Sequence, residues 1–564
     1  MDLVPNIGYL VGGGLRDSFR VRLTVDPLTV QEGAFVVIES GTYQFYGLVT
    51  DLELGATDPR FADEQSETRL APALAKALHG QTLYTNLEVL PALMMEIGPE
   101  PGSQEYEEWL QKHLGAEPAP GPVKTVPPHH ALVRMASAGD IAEIFGKEGE
   151  AGNYVVGYTR EQNHPVCVDL EKLVQRSSGV FGATGTGKSF LTRIVLAGLI
   201  HYNKASVLVF DMHNEYGYDD TASDTGQRVI GLKTKFASKV RVVGLGGGAL
   251  IRGKTPDFNL EIAERDITPA DIELLTGEPN LKETTATTLD ALWTSFGSNW
   301  FGEFRNMTQD VITNDDGKKV PAPGSVAAWC YANGVNVMAA EGLHNKLRRL
   351  FSKEYIISDP AADSVREIID ALQNGQHIIL SFGTRFETDL DYLLVSNLLT
   401  RRIREEWEKK TNAFRSSGKE EPRQLVIVVE EAHKLLNREL ASQTTFATIA
   451  RELRKYYVTL LVVDQRPSQI YDEVMSQLGT RISGWLGDDD DIQAVLSGLA
   501  GREALRGMLA RLQPKEEVLL LGWGVPMPLP VKSRRYDEKF WKELLGERDA
   551  VKRTREQNMK ELGF

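Results

Sequence analysis

The octapeptide GATGTGKS at residues 182–189 constrains this chain more than any other segment, because it matches G-x-x-x-x-G-K-[ST] without a mismatch. The preceding SSGVF is typical of a buried strand, and the following FLTRIVLAGLI is typical of a helix. In that context the glycines permit a tight turn with inward N–H groups, and the helix offers its positive end to phosphates. The sequence therefore predicts a phosphate-binding loop in an α/β core, with a glycine-rich surface turn as the alternative.

Two side chains of this loop have specific expected roles. Lys188 would reach the β and γ oxygens of a nucleoside triphosphate such as ATP, and the Ser189 hydroxyl would bind Mg²⁺. The predicted nucleotide-binding residues are Gly182, Ala183, Thr184, Gly185, Thr186, Gly187, Lys188, Ser189 and Phe190.

A second segment, QLVIVVEEAHK at residues 424–434, is an apolar strand that ends on Glu430 and Glu431. Ligands of open parallel sheets bind at the carboxyl ends of the strands. Two adjacent acids there are costly to bury unless a cation or a proton-transfer step uses them. We expect Glu430 to hold the magnesium and Glu431 to polarise the attacking water. The alternative is an acidic helix start, where carboxylates interact favourably with the helix dipole.

The apolar run VTLLVVD closes on Asp464-Gln465-Arg466-Pro467. An amide at this position can hydrogen-bond both the attacking water and the γ-phosphate, so Gln465 is a candidate sensor. A polar side chain in a surface turn is the alternative.

Continuous apolar runs, rather than alternating ones, predict a central sheet covered by helices on both faces. Eight such runs follow residue 150: SSGVFG, SVLVFD, KVRVVGL, QHIILSF, QLVIVVE, VTLLVVD, RISGWLG and EEVLLLG. The predicted fold is α/β: a P-loop, RecA-like core with a mostly parallel central sheet, an N-terminal β-barrel and an inserted helical subdomain.

Composition shifts divide the 564 residues into six predicted segments. Short alternating runs favour the barrel, prolines mark a linker, and amphipathic patterns predict the insertion. The segments are a β-barrel at 1–115, a linker at 116–150, the first core half at 151–256, the helical insertion at 257–373, the second core half at 374–530 and a helical tail at 531–564.

Charge and cysteine content exclude some classes of protein. The net charge is −15, and residues 1–120 hold 18 Asp and Glu against 7 Lys and Arg, a net of −11. This acidity argues against nonspecific coating of nucleic acid but permits a local basic channel. With only Cys167 and Cys330, a disulfide framework or cysteine-built zinc site is excluded. We expect a cytoplasmic protein, since neither a signal-peptide pattern nor a run of about 20 apolar residues is present.

Five motifs in order, GATGTGKS, VFDMHNEYGY, VIVVEEAHKLL, IARELRKY and VVDQRPSQ, resemble those of the HerA group of HerA–FtsK ATPases over nearly the whole chain. The phosphate loop is shared by many NTPases, whereas the combination of D-x-H-x-E-Y, E-E-A-H and D-Q-R-P-S is much narrower. The resemblance implies a homo-hexameric ring that uses ATP and Mg²⁺ to translocate double-stranded DNA. It also implies that the N-terminal barrel docks a nuclease such as NurA.

Residue by residue, the resemblance supports Lys188 and Ser189 for nucleotide and magnesium, Glu430 for metal, Glu431 for catalysis and Gln465 as sensor. It also implies that Arg451 or Arg454 enters the neighbouring subunit's site as an arginine finger. The two lie three residues apart on one predicted helix face, and their spacing does not choose between them. A solvated basic helix face is the alternative, and the tail at 531–564 is a candidate inter-subunit brace.

Asp211, His213 and Glu215 follow a strand that we expect to neighbour the phosphate loop, so they are placed near the active centre. A metal site formed by these three is disfavoured, because magnesium prefers oxygen ligands and already has two candidates. The family usually has glycine at the position of Asn214, and asparagine tolerates the same left-handed backbone.

A ring that moves along a duplex needs basic loops that grip phosphates without reading bases. The DNA-binding candidates are Lys233, Lys235, Lys239, Arg241 and Arg385, each of which is alternatively a plain surface charge. The acidic runs at 314–317 and 488–491 are expected to be solvated loops rather than a nuclease centre. Cleavage is then assigned to a partner enzyme. A ring scaffold that assembles and switches such a partner, with regulatory ATP turnover, is the competing hypothesis.

Overall fold

The computed structural model describes eleven segments of the chain, and every structural statement below refers to them. They are residues 4–15, 18–57, 83–150, 152–221, 226–273, 284–315, 317–383, 388–418, 420–441, 445–499 and 501–546.

The N-terminal domain is a closed antiparallel barrel. Its elements are β1 (Asn6–Gly13), β2 (Phe19–Leu23), β3 (Phe35–Glu39), β4 (Tyr43–Ala56), β5 (Leu83–Glu96), α1 (Gln104–Lys112), β6 (Gly121–Pro122) and β7 (Leu132–Met135). Six strands run in the order β2-β1-β7-β3-β4-β5, and β5 pairs back onto β2, which closes the barrel. Alternating residues such as Val21, Val36 and Val89 fill its interior. The predicted barrel is confirmed.

The proline-containing segment 116–150 is more than a linker. Its strand β7 pairs with both β1 and β3 and so completes the barrel wall. The prolines precede this strand, so they do not interrupt its backbone pairing. Helix α2 (Ala138–Phe145) then begins at a capping box in which Ser137 and Asp140 exchange hydrogen bonds. The barrel therefore extends to Met135, beyond the predicted boundary.

The first half of the core carries the phosphate loop. Its elements are β8 (Asn153–Tyr158), β9 (Pro165–Asp169), α3 (Leu170–Gln175), β10 (Ser178–Phe181), α4 (Lys188–Tyr202), β11 (Ser206–Asp211), β12 (Asp220–Thr221), β13 (Arg228–Val229), α5 (Leu232–Phe236), β14 (Val240–Leu245) and β15 (Phe258–Leu260). Helix α4 is buried from Leu191 through Ile200, because the sheet and neighbouring helices surround it.

A mainly helical insertion separates β15 from the strand His377–Ser381 along the chain, as predicted, although β15 falls within the predicted bounds of 257–373 and belongs to the central sheet. It contains β16 (Ile262–Ala263), α6 (Pro269–Glu273), α7 (Thr284–Phe296), α8 (Trp300–Asn306), β17 (Val311–Thr313), β18 (Lys319–Pro321), α9 (Val326–Asn333), α10 (Val337–Phe351), β19 (Ile356–Ile357) and α11 (Ser364–Gln373). The acidic run near residue 315 joins the two strands of a small hairpin, β17 and β18.

The second half of the core begins at β20 and returns to the sheet repeatedly. It consists of β20 (His377–Ser381), α12 (Asp389–Ser417), β21 (Leu425–Glu430), α13 (His433–Leu436), α14 (Arg438–Ala441), α15 (Thr445–Glu452), β22 (Val458–Asp464), α16 (Asp472–Gln477), β23 (Thr480–Ser483), α17 (Asp489–Leu496), α18 (Arg502–Ala510), β24 (Glu517–Gly522), β25 (Leu529–Ser533) and α19 (Glu538–Leu545).

The central sheet has the strand order β15-β14-β20-β11-β21-β22-β10-β23-β24-β25-β8-β9. Pairing is parallel from β15 to β23 and antiparallel from β23 to β9. All eight predicted strands are present within it, and the predicted mostly parallel core is confirmed. Parallel pairing places the carboxyl ends of β10, β11, β21 and β22 at one edge, where ligands of such sheets bind.

The acidic run at 488–491 starts a helix and is not the solvated loop that we predicted. Asp488 caps α17 by accepting from the backbone N–H groups of Asp490 and Asp491. The buried Asp491 accepts a hydrogen bond from the Ser468 N–H at 3.0 Å. Carboxylates at a helix start interact favourably with its dipole, which accounts for the run.

The barrel packs against the core through both apolar and charged contacts. Phe35 and Tyr46 of the barrel belong to the same buried cluster as Phe145 of α2. Arg160 donates to the Glu32 carbonyl at 3.0 Å, and Arg511 of the core forms an ion pair with the Glu32 carboxylate. No helix within the described segments is long and apolar enough to cross a bilayer.

Candidate nucleotide site

The phosphate loop joins β10 to α4 at the carboxyl edge of the sheet. Gly185 and Gly187 have φ values of 78° and 89°, in the left-handed region that favours glycine. A Cβ on Gly182 would lie 2.6 Å from the Thr186 hydroxyl, so that turn also requires glycine. The Thr186 hydroxyl donates to the Ala183 carbonyl at 2.7 Å, which closes the loop above the start of α4.

Four side chains from three separate segments meet beside this loop. The Lys188 ammonium lies 3.7 Å from Glu431 Oε1, and the Gln465 amide donates to Glu431 Oε2 at 3.1 Å. The Thr184 hydroxyl donates to Gln465 Oε1 at 2.5 Å. The two opening motifs and the candidate sensor therefore form one cluster, with Glu431 at its centre.

Backbone geometry holds Glu431 in an unusual conformation. Its φ is 44°, a left-handed value that costs energy for a non-glycine residue and that often occurs at functional sites. The residue directly follows β21, and its backbone carbonyl accepts from the Lys434 N–H at 2.8 Å. The turn aims the carboxylate back toward the phosphate loop, which an ordinary helix start would not require.

Glu430, by contrast, is 5% exposed and points into the core. Its Oε1 accepts a hydrogen bond from the Tyr216 hydroxyl at 2.7 Å, and its Oε2 is buried without a protein partner. Burial, together with the charges of Asp211 and Glu215, raises the pKa of Glu430 well above its usual range. A buried carboxylate with a free oxygen is the chemistry that a bound cation or proton stabilises.

The strand β11 does not neighbour the phosphate-loop strand, contrary to our expectation. β21 and β22 lie between β11 and β10, because the chain crosses over before it returns to the middle of the sheet. Asp211 is nevertheless close to the acidic pair, since its strand is the direct neighbour of β21. Of the three residues predicted near the centre, His213 is exposed and Asp211 is fully buried.

Asp211 organises the loop that follows its strand. It accepts from the backbone N–H groups of Glu215 at 2.7 Å and Tyr216 at 3.1 Å. Burial raises the pKa of Asp211 to about 6, although these two hydrogen bonds lower it. Asn214 adopts a φ of 57°, and its side-chain oxygen accepts from the Gly383 N–H at 3.0 Å, so asparagine replaces glycine here at little cost.

Sequence reasoning overlooked an ion pair beneath the site. Asp464 accepts from His433 through both the backbone N–H at 2.7 Å and Nδ1 at 2.9 Å. Burial alone would raise the pKa of Asp464, but these contacts with His433 lower it below its usual value. The hydrogen bond to Asp464 raises the pKa of His433. The motifs E-E-A-H and D-Q-R-P contained this pair, but only the parallel pairing of β21 and β22 brings the two together.

Arg193 of α4 links the helix that follows the phosphate loop to the loop that follows β11. The two segments are therefore in contact, although β21 and β22 separate β10 from β11 in the sheet. The Arg193 guanidinium donates to the Glu215 carbonyl at 2.5 Å and lies 5.6 Å from the Tyr216 ring centroid. Phe190 stacks at 6.3 Å on Tyr536, in the segment before α19. The described part of the tail therefore packs on its own core beside the site.

Arg454 lies at the opposite edge of the sheet from the chain's own phosphate loop. The helix α15 ends at Glu452, and Arg454 follows in a 3-10 turn just before β22 begins. It is exposed, as a residue that acts on another molecule must be. Arg451 is in the last turn of α15, and its side chain is outside the described part. The α-helix therefore ends between the two arginines, and the 3-10 turn follows it directly.

Three of the five predicted DNA contacts are engaged within the chain, and two of these are Lys233 and Lys235. Lys233 donates to the Val240 carbonyl and to Asp257, both at 2.9 Å. Lys235 forms an ion pair with Glu538 of α19 at 3.3 Å.

The third engaged candidate is Arg241, which pairs with Glu367 at 2.5 Å. Lys239 is exposed just before β14 begins. Arg385 lies outside the described residues.

The polar groups at this edge fit a magnesium–nucleotide complex. Glu430 has an unpartnered buried oxygen, and Ser189 is the second residue of α4. No cluster of three or more metal-ligating side chains occurs in the described segments. Magnesium needs only one or two protein oxygens, because water and phosphate complete its octahedron, so Ser189 and Glu430 would suffice to hold it.

Comparison with known proteins agrees with this geometry. A family model described as the central domain of the helicase HerA matches residues 154–403. The DNA double-strand break repair helicase HerA of Sulfolobus acidocaldarius is 22% identical over 541 residues, covering 95% of this chain and 94% of that protein. Its counterpart from Sulfurisphaera tokodaii is 24% identical over 543 residues, again covering 95% and 94%.

A solved structure of the plasmid coupling protein TrwB, in complex with a non-hydrolysable GTP analogue, is 15% identical. It covers 71% of this chain and 93% of that one, with a TM-score of 0.45. The sequence relatives span the chain almost end to end, and the phosphate loop, Glu431 and Gln465 lie in one site. The chain is therefore a P-loop ATPase that is similar to the HerA helicases over almost its whole length.

Proposed function

We propose that this ATPase is a DNA translocase that acts on double-stranded DNA as a ring, the homo-hexamer that the family resemblance implies. The single observation that carries the proposal is the cluster of Lys188, Thr184, Glu431 and Gln465 at one sheet edge. Relatives that are similar over 95% of the chain are named DNA double-strand break repair helicases, which supports the proposal.

The chain's own residues account for the hydrolytic step. Lys188 binds the β and γ phosphate oxygens, and the loop N–H groups orient them. Glu431 accepts the proton of the attacking water, while Gln465 holds both that water and the carboxylate in register. Magnesium, held by Ser189 and Glu430, would neutralise phosphate charge. The hydrogen bond between Thr184 of the phosphate loop and Gln465 couples phosphate binding to β22, the strand that Gln465 follows.

An arginine from a neighbouring copy completes the site in this proposal. Arg454 projects from the edge of the sheet opposite the phosphate loop, so it cannot serve its own nucleotide. A head-to-tail arrangement of copies would bring one subunit's Arg451 or Arg454 to the next subunit's triphosphate. Head-to-tail interfaces generate closed rings when the rotation closes.

The N-terminal barrel is proposed to dock a nuclease, NurA-like or another effector. Its domain is acidic, with a net charge of −11 over residues 1–120, which disfavours direct contact with DNA there. The remaining predicted segments are proposed as ATPase core, helical insertion and a tail that braces neighbouring subunits.

DNA-stimulated ATPase activity tests the translocase directly. The protein should hydrolyse ATP faster with duplex DNA and should displace a protein roadblock, and Lys188→Ala should abolish both. A competing function is a nucleotide-regulated scaffold, favoured by the ion pairs that already engage Lys233, Lys235 and Arg241. Partner activation without DNA stimulation or roadblock displacement would support the scaffold.

Deleting residues 1–110 and measuring co-purification separates the role of the barrel. The truncated chain should lose the partner and still bind nucleotide, since the phosphate loop lies wholly in the core. Because β7 completes the barrel from outside the deletion, removing residues 1–135 is the matched variant. Retention of the partner by both truncations would contradict the docking role.

A further inference from the structure

A cavity of about 600 Å³ lies between the barrel and the core, at the sheet edge opposite the phosphate loop. Leu93 of β5 and Pro120 form its barrel side, and residues next to the amino ends of β10, β22 and β23 form much of its core side. This volume is within the range of small-molecule sites, roughly 300–1,000 Å³. The cavity is separate from the nucleotide site already described.

The charged side chains that line this cavity are all cationic: Lys172, Arg176, Arg454 and Arg481. No Asp or Glu is among the described lining residues. Arg176 lies 4.3 Å above the ring of Trp523, which is 45% exposed and forms part of the wall. Lys172 has an acidic neighbour in Asp169, at 3.5 Å. Clustered like charges repel one another, so this arrangement is stabilised by an anion.

Arg481 adds a buried positive charge at the cavity wall. It is 4% exposed, and its guanidinium donates to the carbonyls of Val495, Ser497 and Met475. Within the described segments it has no carboxylate partner, and its Nε is buried without a hydrogen-bond acceptor. Burial lowers the pKa of Arg481 to about 10, which still leaves it charged at neutral pH. The three carbonyls hold the guanidinium but carry no net charge, so Arg481 strengthens the positive potential of the cavity without contacting a ligand itself.

We propose that this cavity binds the polyphosphate of a free nucleotide, at a site additional to the phosphate loop. Guanidinium groups bind phosphate oxygens with paired, charge-assisted hydrogen bonds, and Arg176 and Arg454 line the space together with Lys172. This second site does not depend on the proposed ring.

Nucleotide binding by the full-length protein tests the proposal, with AMP-PNP as the probe in equilibrium dialysis. The cavity variant is Lys172→Gln/Arg176→Gln, chosen because both side chains are partly exposed and Arg481 is needed for packing. The matched control is Arg535→Gln, which removes an exposed cation outside the cavity. Lys188→Ala in each background removes the grip of the phosphate loop.

The additional site predicts that Lys188→Ala still binds AMP-PNP and that the cavity variant weakens this residual binding roughly tenfold. Arg176→Lys should keep part of the binding, because it retains the charge but loses the paired hydrogen bonds of a guanidinium.

Equal affinity and stoichiometry for the cavity variant and Arg535→Gln, with no residual binding by Lys188→Ala, would overturn the proposal. A loss of binding shared by Arg176→Lys would also overturn it, since packing rather than charge would then be responsible. If duplex DNA does not stimulate ATP hydrolysis, the translocase function is refuted, and the result for the additional nucleotide site is unaffected.

Discussion

The two edges of the central sheet carry opposite chemistry. The carboxyl edge collects Asp211, Glu430, Glu431 and Asp464 around a single lysine of the phosphate loop. The amino edge presents arginines around a cavity without acidic walls among the described residues. Each edge has what the other lacks, so stacking one copy's amino edge on the next copy's carboxyl edge would complete both. Breaking either edge separately tests that idea.

The largest expected effect comes from the acidic edge. Glu431→Gln should lower ATP hydrolysis about a thousandfold, because it removes the proton acceptor but keeps a hydrogen-bonding side chain of similar shape. Nucleotide binding and assembly should persist, as measured by single-turnover hydrolysis and by size. Glu439→Gln, on the exposed surface of α14, is the control. Hydrolysis near the parent rate in Glu431→Gln would refute the catalytic assignment.

Substitution of an arginine at the cationic amino edge should lower ATP hydrolysis in the neighbouring subunit. Arg454→Ala should reduce hydrolysis about a hundredfold if it stabilises the transferring phosphate. Mixed with Glu431→Gln subunits, which keep their own arginines, the variant should regain activity wherever a neighbour supplies the missing side chain. Arg451→Ala in the same mixing assay decides between the two residues, and Lys455→Ala controls for loss of local charge. A mixture no more active than the two variants measured separately would contradict action across an interface.

A buried histidine at the amino edge should make the free energy of unfolding depend on pH. His377 opens β20, and burial, with smaller contributions from Arg423 and Lys239, lowers its pKa to about 3. Between roughly pH 6.5 and 3 the unfolded chain therefore binds one more proton, so stability falls as pH drops, by about 1.4 kcal/mol per unit. His377→Gln should lose less stability between pH 7.0 and 5.5, by roughly 1 kcal/mol in urea denaturation.

The matched variant at the other edge is His213→Gln, whose side chain is exposed. Its urea denaturation shows what the replacement of an exposed imidazole does by itself. Equal pH dependence for His377→Gln and the parent would mean that this buried imidazole does not set the acid sensitivity.

The smallest effect concerns DNA. Lys239→Gln should weaken duplex binding a few-fold and lower the salt slope by about one, because it removes one exposed phosphate contact. Lys233→Gln should change DNA affinity less, since its ammonium is already held by Val240 and Asp257. Titration at several salt concentrations measures both. A larger loss of DNA affinity in Lys233→Gln than in Lys239→Gln would contradict a DNA-binding role for Lys239 at the amino edge.

Much of the carboxyl edge was predictable. The phosphate loop requires a local glycine pattern, and each of the strands β21 and β22 ends on its polar residues within a few positions. Parallel strands then align those ends without further information, so Lys188, Glu431 and Gln465 could be grouped in advance. The error concerned β11, because strand order depends on crossovers that leave no local pattern. The partners of three DNA-binding candidates were likewise not predictable from local patterns. Lys233, Lys235 and Arg241 pair with acidic residues that are 24, 303 and 126 residues away.

The sequence by itself determined that the chain binds phosphate in an α/β core, with a barrel before it and helices inserted within it. These features rest on short-range rules: glycine conformations, apolar runs and the period of side chains along strands. Only the tertiary structure decided that Glu430 is buried while its neighbour Glu431 faces the loop. It also decided that Arg176, Arg454 and Arg481 share one cavity. The physical reason is that burial and charge neighbourhood depend on segments hundreds of residues apart, whose contacts arise only on packing.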